Sequence, residues 1–282
     1  MQEFESFLVN NLPKTESFHP HYDKAIHIMM HSGGKRFRPV LLLAVVQAFE
    51  PLLVKSAYLP ALAIESLHTY SLIHDDLPCM DDAALRRGVE TLHITYDEVT
   101  AVLAGDALNT YAFELLSQAA FSAQTRIDLV GTLAKNGGLS GMVLGQAIDC
   151  HFENIALELE QLKTLHINKT AKLIAAALEM GAIIVNDKVL QKELYTFGID
   201  LGLLFQIQDD ILDVTQTSEE AGKTTANDGD KNSFVNLLGL DEAVKSADNL
   251  ALALGQQLDH FDPKLQTELR PILEKYFNRH KG

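Results

Sequence analysis

The chain has 282 residues, 47% of them hydrophobic and 22% charged, which is enough apolar material for a large core and too much for a disordered chain. Its 38 Asp and Glu against 23 Lys and Arg give a formal net charge of -15, and this argues against a nonspecific nucleic-acid binder, which needs a basic surface. Phosphate ligands stay open, because bound divalent cations reverse the local sign.

Met1 to Asn11 carry acids and no basic start, so no signal peptide is expected. Prolines fall at positions 13, 20, 39, 51, 60 and 78, then only at 263 and 271. The long proline-free stretch is rich in Ala, Leu, Glu, Gln and Ile, which favours helices. Apolar residues recur at three and four in Leu103, Ala107, Leu108, Tyr111, Ala112 and Leu115. No β-branched alternation bounded by turn signals is found, so no strand is predicted. Breaks are expected at Asn136-Gly137-Gly138, around Phe152–Leu159, at Asn186-Asp187 and from Thr215 to Asn232. The expectation is one all-α domain over residues 1–282, a bundle of about ten helices.

The apolar runs Val40–Val46 and Leu173–Val185 fall short of the roughly 20 residues that span a bilayer and are expected as buried helices. Two cysteines, Cys79 and Cys150, exclude a disulfide framework and a Cys-rich zinc site. The expected compartment is the reducing cytoplasm. Cys79 pairs with no base in sequence and is expected to pack.

Two acid clusters stand at the ends of apolar helical runs. The first is His74-Asp75-Asp76-Leu77-Pro78-Cys79-Met80-Asp81-Asp82, the second Gln206-Ile207-Gln208-Asp209-Asp210-Ile211-Leu212-Asp213. Adjacent carboxylates repel, and acids within an apolar pattern are costly unless a cation compensates them. Asp209 and Asp213 are four apart on one helix face and can converge on a hard cation such as Mg²⁺. On an ideal helix Asp75 aligns better with Asp82 than with Asp81, but Pro78 distorts that turn. A single Asp pair is most often a solvated acidic face; two clusters, each beside an apolar run, weaken that reading.

The scarce cations also cluster. Gly33-Gly34-Lys35-Arg36-Phe37-Arg38-Pro39, Arg86-Arg87-Gly88, Lys169-Thr170, Lys223-Thr224 and Lys231 offer forks and point charges for phosphate oxygens. Together with the acids they suggest a Mg²⁺–diphosphate site. His27 and His31 are four apart, yet no acids accompany them, so surface or satisfied core histidines are expected. Glu65-x-x-His68 matches half of a di-iron bundle motif, and no second half is found.

From about Gly33 to Leu240 the sequence resembles the short-chain trans-prenyltransferases, or polyprenyl synthetases, in particular bacterial farnesyl diphosphate synthases, with geranylgeranyl diphosphate synthases near them. The resemblance rests on GGKRFRP at 33–39, SLIHDDLPCMDD at 71–82, LRRG at 85–88, VLAGDAL at 102–108, GQAID at 145–149, HINKT at 166–170, FQIQDDILD at 205–213 and GKTT at 222–225. It implies an isoprenoid synthase fold with a central cavity and a homodimer, while the acidic charge and the short apolar runs predict no nucleic-acid partner and no membrane span. It further implies metal sites at Asp75, Asp76, Asp81, Asp209 and Asp213, the second motif including Asp210, with three Mg²⁺ ions when substrate is bound. Arg86, Lys169, Thr170, Lys223 and Lys231 are similar to residues on the allylic diphosphate. Gly34, Lys35, Arg38, His68 and Arg87 resemble the isopentenyl diphosphate pocket, and Gln206 matches a glutamine near the reacting carbons. Asp75, Asp81, Arg86, Lys169, Gln206 and Asp209 are the implied catalytic set.

The implied reaction is a head-to-tail 1'-4 condensation of isopentenyl diphosphate with dimethylallyl or geranyl diphosphate. Tyr70, with Ser71 beside it, lies five residues before Asp75, about 7.5 Å along a helix axis, where a bulky ring can floor the growing chain and favour a C15 product. A C20 product stays open, as does a core-packing role for Tyr70. Ala83-Ala84 and Val89-Glu90 depart from the family pattern, and Asp106 has no assigned role. A class I terpene cyclase would lack the isopentenyl pocket, and a noncatalytic subunit of a heteromeric synthase often loses an aspartate motif. Both features are present here.

Overall fold

The computed structural model describes residues 2–215 and 232–281. The helices in chain order are α1 (Gln2–Asn10), α2 (Tyr22–His31), α3 (Phe37–Phe49), α4 (Tyr58–Asp75), α5 (Leu92–Thr95), α6 (Glu98–Gln118) and α7 (Ala123–Gly137). They continue with α8 (Met142–His151), α9 (Leu159–His166), α10 (Lys172–Ile184), α11 (Lys188–Thr215), α12 (Phe234–Leu238), α13 (Leu240–Asp259) and α14 (Pro263–Phe277). About twelve of these are substantial, slightly more than the ten expected.

The helix ends follow the local chemistry. Asp97 accepts the Thr100 N–H at 2.6 Å and starts α6. Glu158 and Gln161 form a reciprocal capping box on α9. The expected breaks at 136–138, 152–159 and 186–187 each separate two helices. The Val40–Val46 run lies within α3 and is largely buried. α10 is buried almost all round, as its apolar sequence, interrupted only by Glu179, requires. It packs against α3, α7 and α11, while α4 lies along α6 and α3.

One expectation needs correction. A short antiparallel pair, β1 (Leu85–Arg86) and β2 (Val89–Glu90), stands where no strand was predicted. Arg87 and Gly88 between them have φ of 53° and 78°, so two left-handed residues close the hairpin. Two residues per strand are too few to show alternation. In the first acid cluster α4 stops at Asp75 and the chain turns back, in line with the distortion expected around Pro78.

Candidate active site

The turn after α4 does what an ideal helix could not. Leu77 is buried, and the Asp81 N–H donates to the Asp75 carbonyl at 2.9 Å, bringing Asp81 back beside Asp75. Asp82 is set at φ 46° and its carboxylate is 3.8 Å from His93, on an exposed edge. Asp76 points inward: Oδ1 accepts Arg86 Nε at 2.7 Å and also pairs with Arg86 Nη2, while Oδ2 is buried with no hydrogen-bond partner. Burial pushes the Asp76 carboxyl up to about 6, against the pull of Arg86. Burial also raises Asp75, against Lys169, and neighbouring Asp81 adds to the rise.

α9 and α10 are joined by a π turn at Ile167–Ala171, and this widened turn carries Lys169 and Thr170. Lys169 Nζ lies 2.5 Å from Asp149 and 3.8 Å from Asp75. Burial alone would lower its pKa; the two carboxylates outweigh that and hold the ammonium charged. Gln146 donates to Asp75 Oδ1 at 2.5 Å, so Asp75 has two cationic neighbours, Lys169 and Arg86, and one amide.

The second cluster lies on α11. Thr170 donates to Gln206 Oε1 at 2.9 Å, and Gln206 Nε2 donates to Asp210 Oδ1 at 2.9 Å. Asp210 also accepts the Phe234 N–H at 2.7 Å, so it ties α12 to α11. Burial raises the Asp210 carboxyl to about 7, against those hydrogen bonds. Asp209 pairs with Arg279 at 2.7 Å. Asp213 sits one turn further on the same helix.

The third group surrounds the glycine turn before α3. Gly34 has φ 115°, and a Cβ there would press on the Arg87 guanidinium. Arg87 donates to the Gly33 carbonyl at 2.9 Å and lies 3.7 Å from Glu65, which also holds Arg36 at 2.8 Å. Glu65 is 1% exposed, so one buried carboxylate anchors two guanidiniums. Arg38 Nε and His68 Nδ1 are buried without partners, two unsatisfied polar atoms in a cation-rich pocket. Burial lowers Arg38 to about 10; burial and four arginines keep His68 a neutral imidazole. Lys35 lies over the Tyr276 ring at 5.6 Å.

A cavity of about 460 Å³ is lined by part of the first and third groups, while Gln206 and the acids of the second cluster are not among its lining residues. Asp75, Lys169 and Thr170 line it at one end, Arg38 and His68 contribute to its wall, and Tyr70 and Ser71 line it along α4. Tyr70 is buried. Cys79 is exposed and lines the cavity, so the packing expected of it is corrected: the turn that brings Asp81 back also turns Cys79 outward. His27 Nε2 bonds the Pro13 carbonyl at 2.7 Å, a satisfied histidine as expected. Lys223 and Lys231 lie outside the described residues.

Sequence reasoning gave no role to Glu65, Gln146, Asp149 or Arg279. Gln146 and Asp149 lay within a recognised motif, and Glu65 was singled out for its spacing to His68. Their partners are 20 or more residues away in sequence, beyond any local pattern.

The donor set fits Mg²⁺. Asp75 and Asp81 are neighbouring carboxylates, both act electrostatically on Asp76, and Asp76 Oδ2 is buried without a hydrogen-bond partner. No three His, Cys, Asp or Glu side chains among the described residues form a ready metal cage. Mg²⁺ takes one or two carboxylates and completes its shell with water and phosphate oxygens, and the paired Asp75 and Asp81 carboxylates match that donor chemistry.

The sequence model of the polyprenyl synthetase family matches residues 19–268. A farnesyl diphosphate synthase of Haemophilus influenzae is 39% identical over 283 aligned positions, covering 98% of this chain and 92% of its own. A chloroplastic geranylgeranyl pyrophosphate synthase of Catharanthus roseus is 45% identical over 241, covering 83% and 67%. A crystal structure of a Helicobacter pylori geranyltransferase, complexed with magnesium and isoprenyl diphosphate, superposes with a TM-score of 0.94 at 52% identity, over 100% of this chain and 95% of that one. An apo FPP/GFPP synthase from Zymomonas mobilis gives 0.84 at 35%, over 98% and 95%. Agreement over nearly the whole chain, in sequence and in backbone, leaves one placement: this chain belongs to the polyprenyl synthetase family.

Proposed function

We propose that the chain, acting as one all-α domain and as a cytoplasmic homodimer, condenses isopentenyl diphosphate with dimethylallyl and then geranyl diphosphate, ending at farnesyl diphosphate. The observation that carries this reading is one cavity with Asp75 and Lys169 at one end and the Tyr70 ring along the same helix. A charged end suits a diphosphate and an apolar interior suits a prenyl chain.

Lys169, Arg86 and Thr170 hold the allylic diphosphate, with Lys223 and Lys231 completing its contacts. Their charges stabilise the leaving anion as the carbon–oxygen bond opens. Asp76 fixes the Arg86 fork through Oδ1. Asp75, Asp76, Asp81, Asp209 and Asp213 would hold Mg²⁺, up to three ions with substrate, and bound Mg²⁺ would supply charge neutralisation of the diphosphate. Lys35, Arg38, His68 and Arg87, on the Gly34 turn, bind isopentenyl diphosphate. Its double bond attacks the allylic carbon, and a C2 proton then leaves to the released diphosphate. Gln206, held between Thr170 and Asp210, faces the reacting carbons and is kept from rotating by both bonds. The apolar wall excludes water from the cation.

A geranylgeranyl product is the second reading, favoured by the 45% identity to the Catharanthus enzyme. The test is condensation by the purified chain, with isopentenyl and geranyl diphosphate, with and without Mg²⁺. The expected result is Mg²⁺-dependent condensation releasing one diphosphate per isopentenyl unit. Cyclic products from geranyl diphosphate alone would instead point to a cyclase, and no turnover without an added partner would point to a subunit of a heteromeric synthase.

A further inference from the structure

Val102–Asp106 on α6 takes no part in the chemistry just described, yet it makes a specific contact with the cavity wall. Tyr70 and His74 are four apart on α4 and meet edge to face, with ring centroids 5.5 Å apart and planes at 89°. Both line the cavity. From the other side, His74 Nε2 donates to the Val102 carbonyl at 3.0 Å and lies 3.9 Å from Asp106 Oδ1. The ring fits there because position 105 is glycine. A Cβ on Gly105 would overlap the imidazole, so any side chain must displace it. The imidazole is thus fixed by α6 on one side and packs against Tyr70 on the other.

We propose that His74, seated against Gly105 and tied to the Val102 carbonyl, is a positioning residue for product length: it holds the Tyr70 ring across the cavity. This rests on the reading of Tyr70 as the floor. Removing the imidazole opens a volume beside Tyr70 into which its ring can rotate, and the prenyl chain can then pass. Asp106 borders the same seat, with Oδ1 3.9 Å from His74 Nε2. A floor that depends on a neighbour explains how one fold can change product length without altering the floor residue.

The test compares products of the wild type, Tyr70→Ala, His74→Ala, His74→Gln and Gly105→Ala, with enzyme in excess so that slow variants are still read. Each variant is expected to raise the C20-to-C15 ratio about tenfold or more, the scale of discrimination that a lost pocket contact supplies. His74→Gln keeps a donor for Val102 and loses the ring, and Gly105→Ala leaves the ring but unseats it, so either suffices should His74→Ala fold poorly. Lengthening by Tyr70→Ala with C15 retained by the His74 and Gly105 variants would overturn this inference and leave the floor reading intact. A wild-type C20 product, or C15 retained by Tyr70→Ala, would remove the floor reading and this inference with it.

Discussion

Glu65→Gln probes the arginine pocket most cleanly, because it removes one charge and almost no volume. Glu65 is 1% exposed and its Oε1 lies 2.8 Å from Arg36 and 3.7 Å from Arg87. Breaking a buried pair by neutralising one partner costs about 3–5 kcal/mol, since the remaining charge loses its compensation. Arg36 keeps Glu5 at 3.0 Å, a 42%-exposed partner, so the lower end, about 3 kcal/mol, is expected. With an unfolding entropy of about 2.1 cal/mol/K per residue, a chain of this length should lose about 5 °C in Tm. Calorimetric or circular-dichroism melting reads the loss. Arg87 also loses its anchor, so KM for isopentenyl diphosphate should rise while KM for the allylic substrate stays put. An unchanged Tm together with an unchanged KM for isopentenyl diphosphate would refute the claim that Glu65 organises these guanidiniums.

Lys169→Met should lower kcat about 10²–10³-fold with the fold intact by circular dichroism, because a charged donor at the diphosphate end is lost; a kcat near wild type would contradict its role. His166 is buried against Phe234, and burial lowers it to about 4. Its folded pKa lies below the unfolded value of about 6.5, so the unfolded chain binds the proton first and stability falls as pH drops from 6.5 to 4, by about 3 kcal/mol from this group. Urea melts at a series of pH values should show that slope, and His166→Phe should flatten it; equal slopes in both proteins would be inconsistent with a neutral buried imidazole. Chelation of Mg²⁺ with EDTA should abolish condensation and leave helicity unchanged, and retained turnover would count against the carboxylate assignments.

Much of the helical layout was legible before any coordinates. The absence of proline from 79 to 262 and the glycine and asparagine breaks reflect backbone chemistry that acts locally. The two acid clusters were legible for a similar reason: carboxylates at the ends of apolar runs are costly without a purpose. What could not be read was geometry set by non-local contact. Asp81 reaches Asp75 through a turn stabilised by buried Leu77, not through helical spacing. The hairpin at Leu85–Glu90 is too short to show a period. Glu65 and Arg36 are 29 residues apart, and Gln146 and Asp75 are 71 apart, so only the fold reveals them as partners.

The most direct test of the account is the terminal product of the unmodified enzyme. Purified protein would be incubated with Mg²⁺, isopentenyl diphosphate and either dimethylallyl or geranyl diphosphate, and the dephosphorylated products resolved by chromatography. The account predicts that both starters converge on a C15 alcohol that grows no further with excess isopentenyl diphosphate. Accumulation of C20 from either starter would contradict the Tyr70 floor, and no condensation from either would contradict the proposed reaction itself.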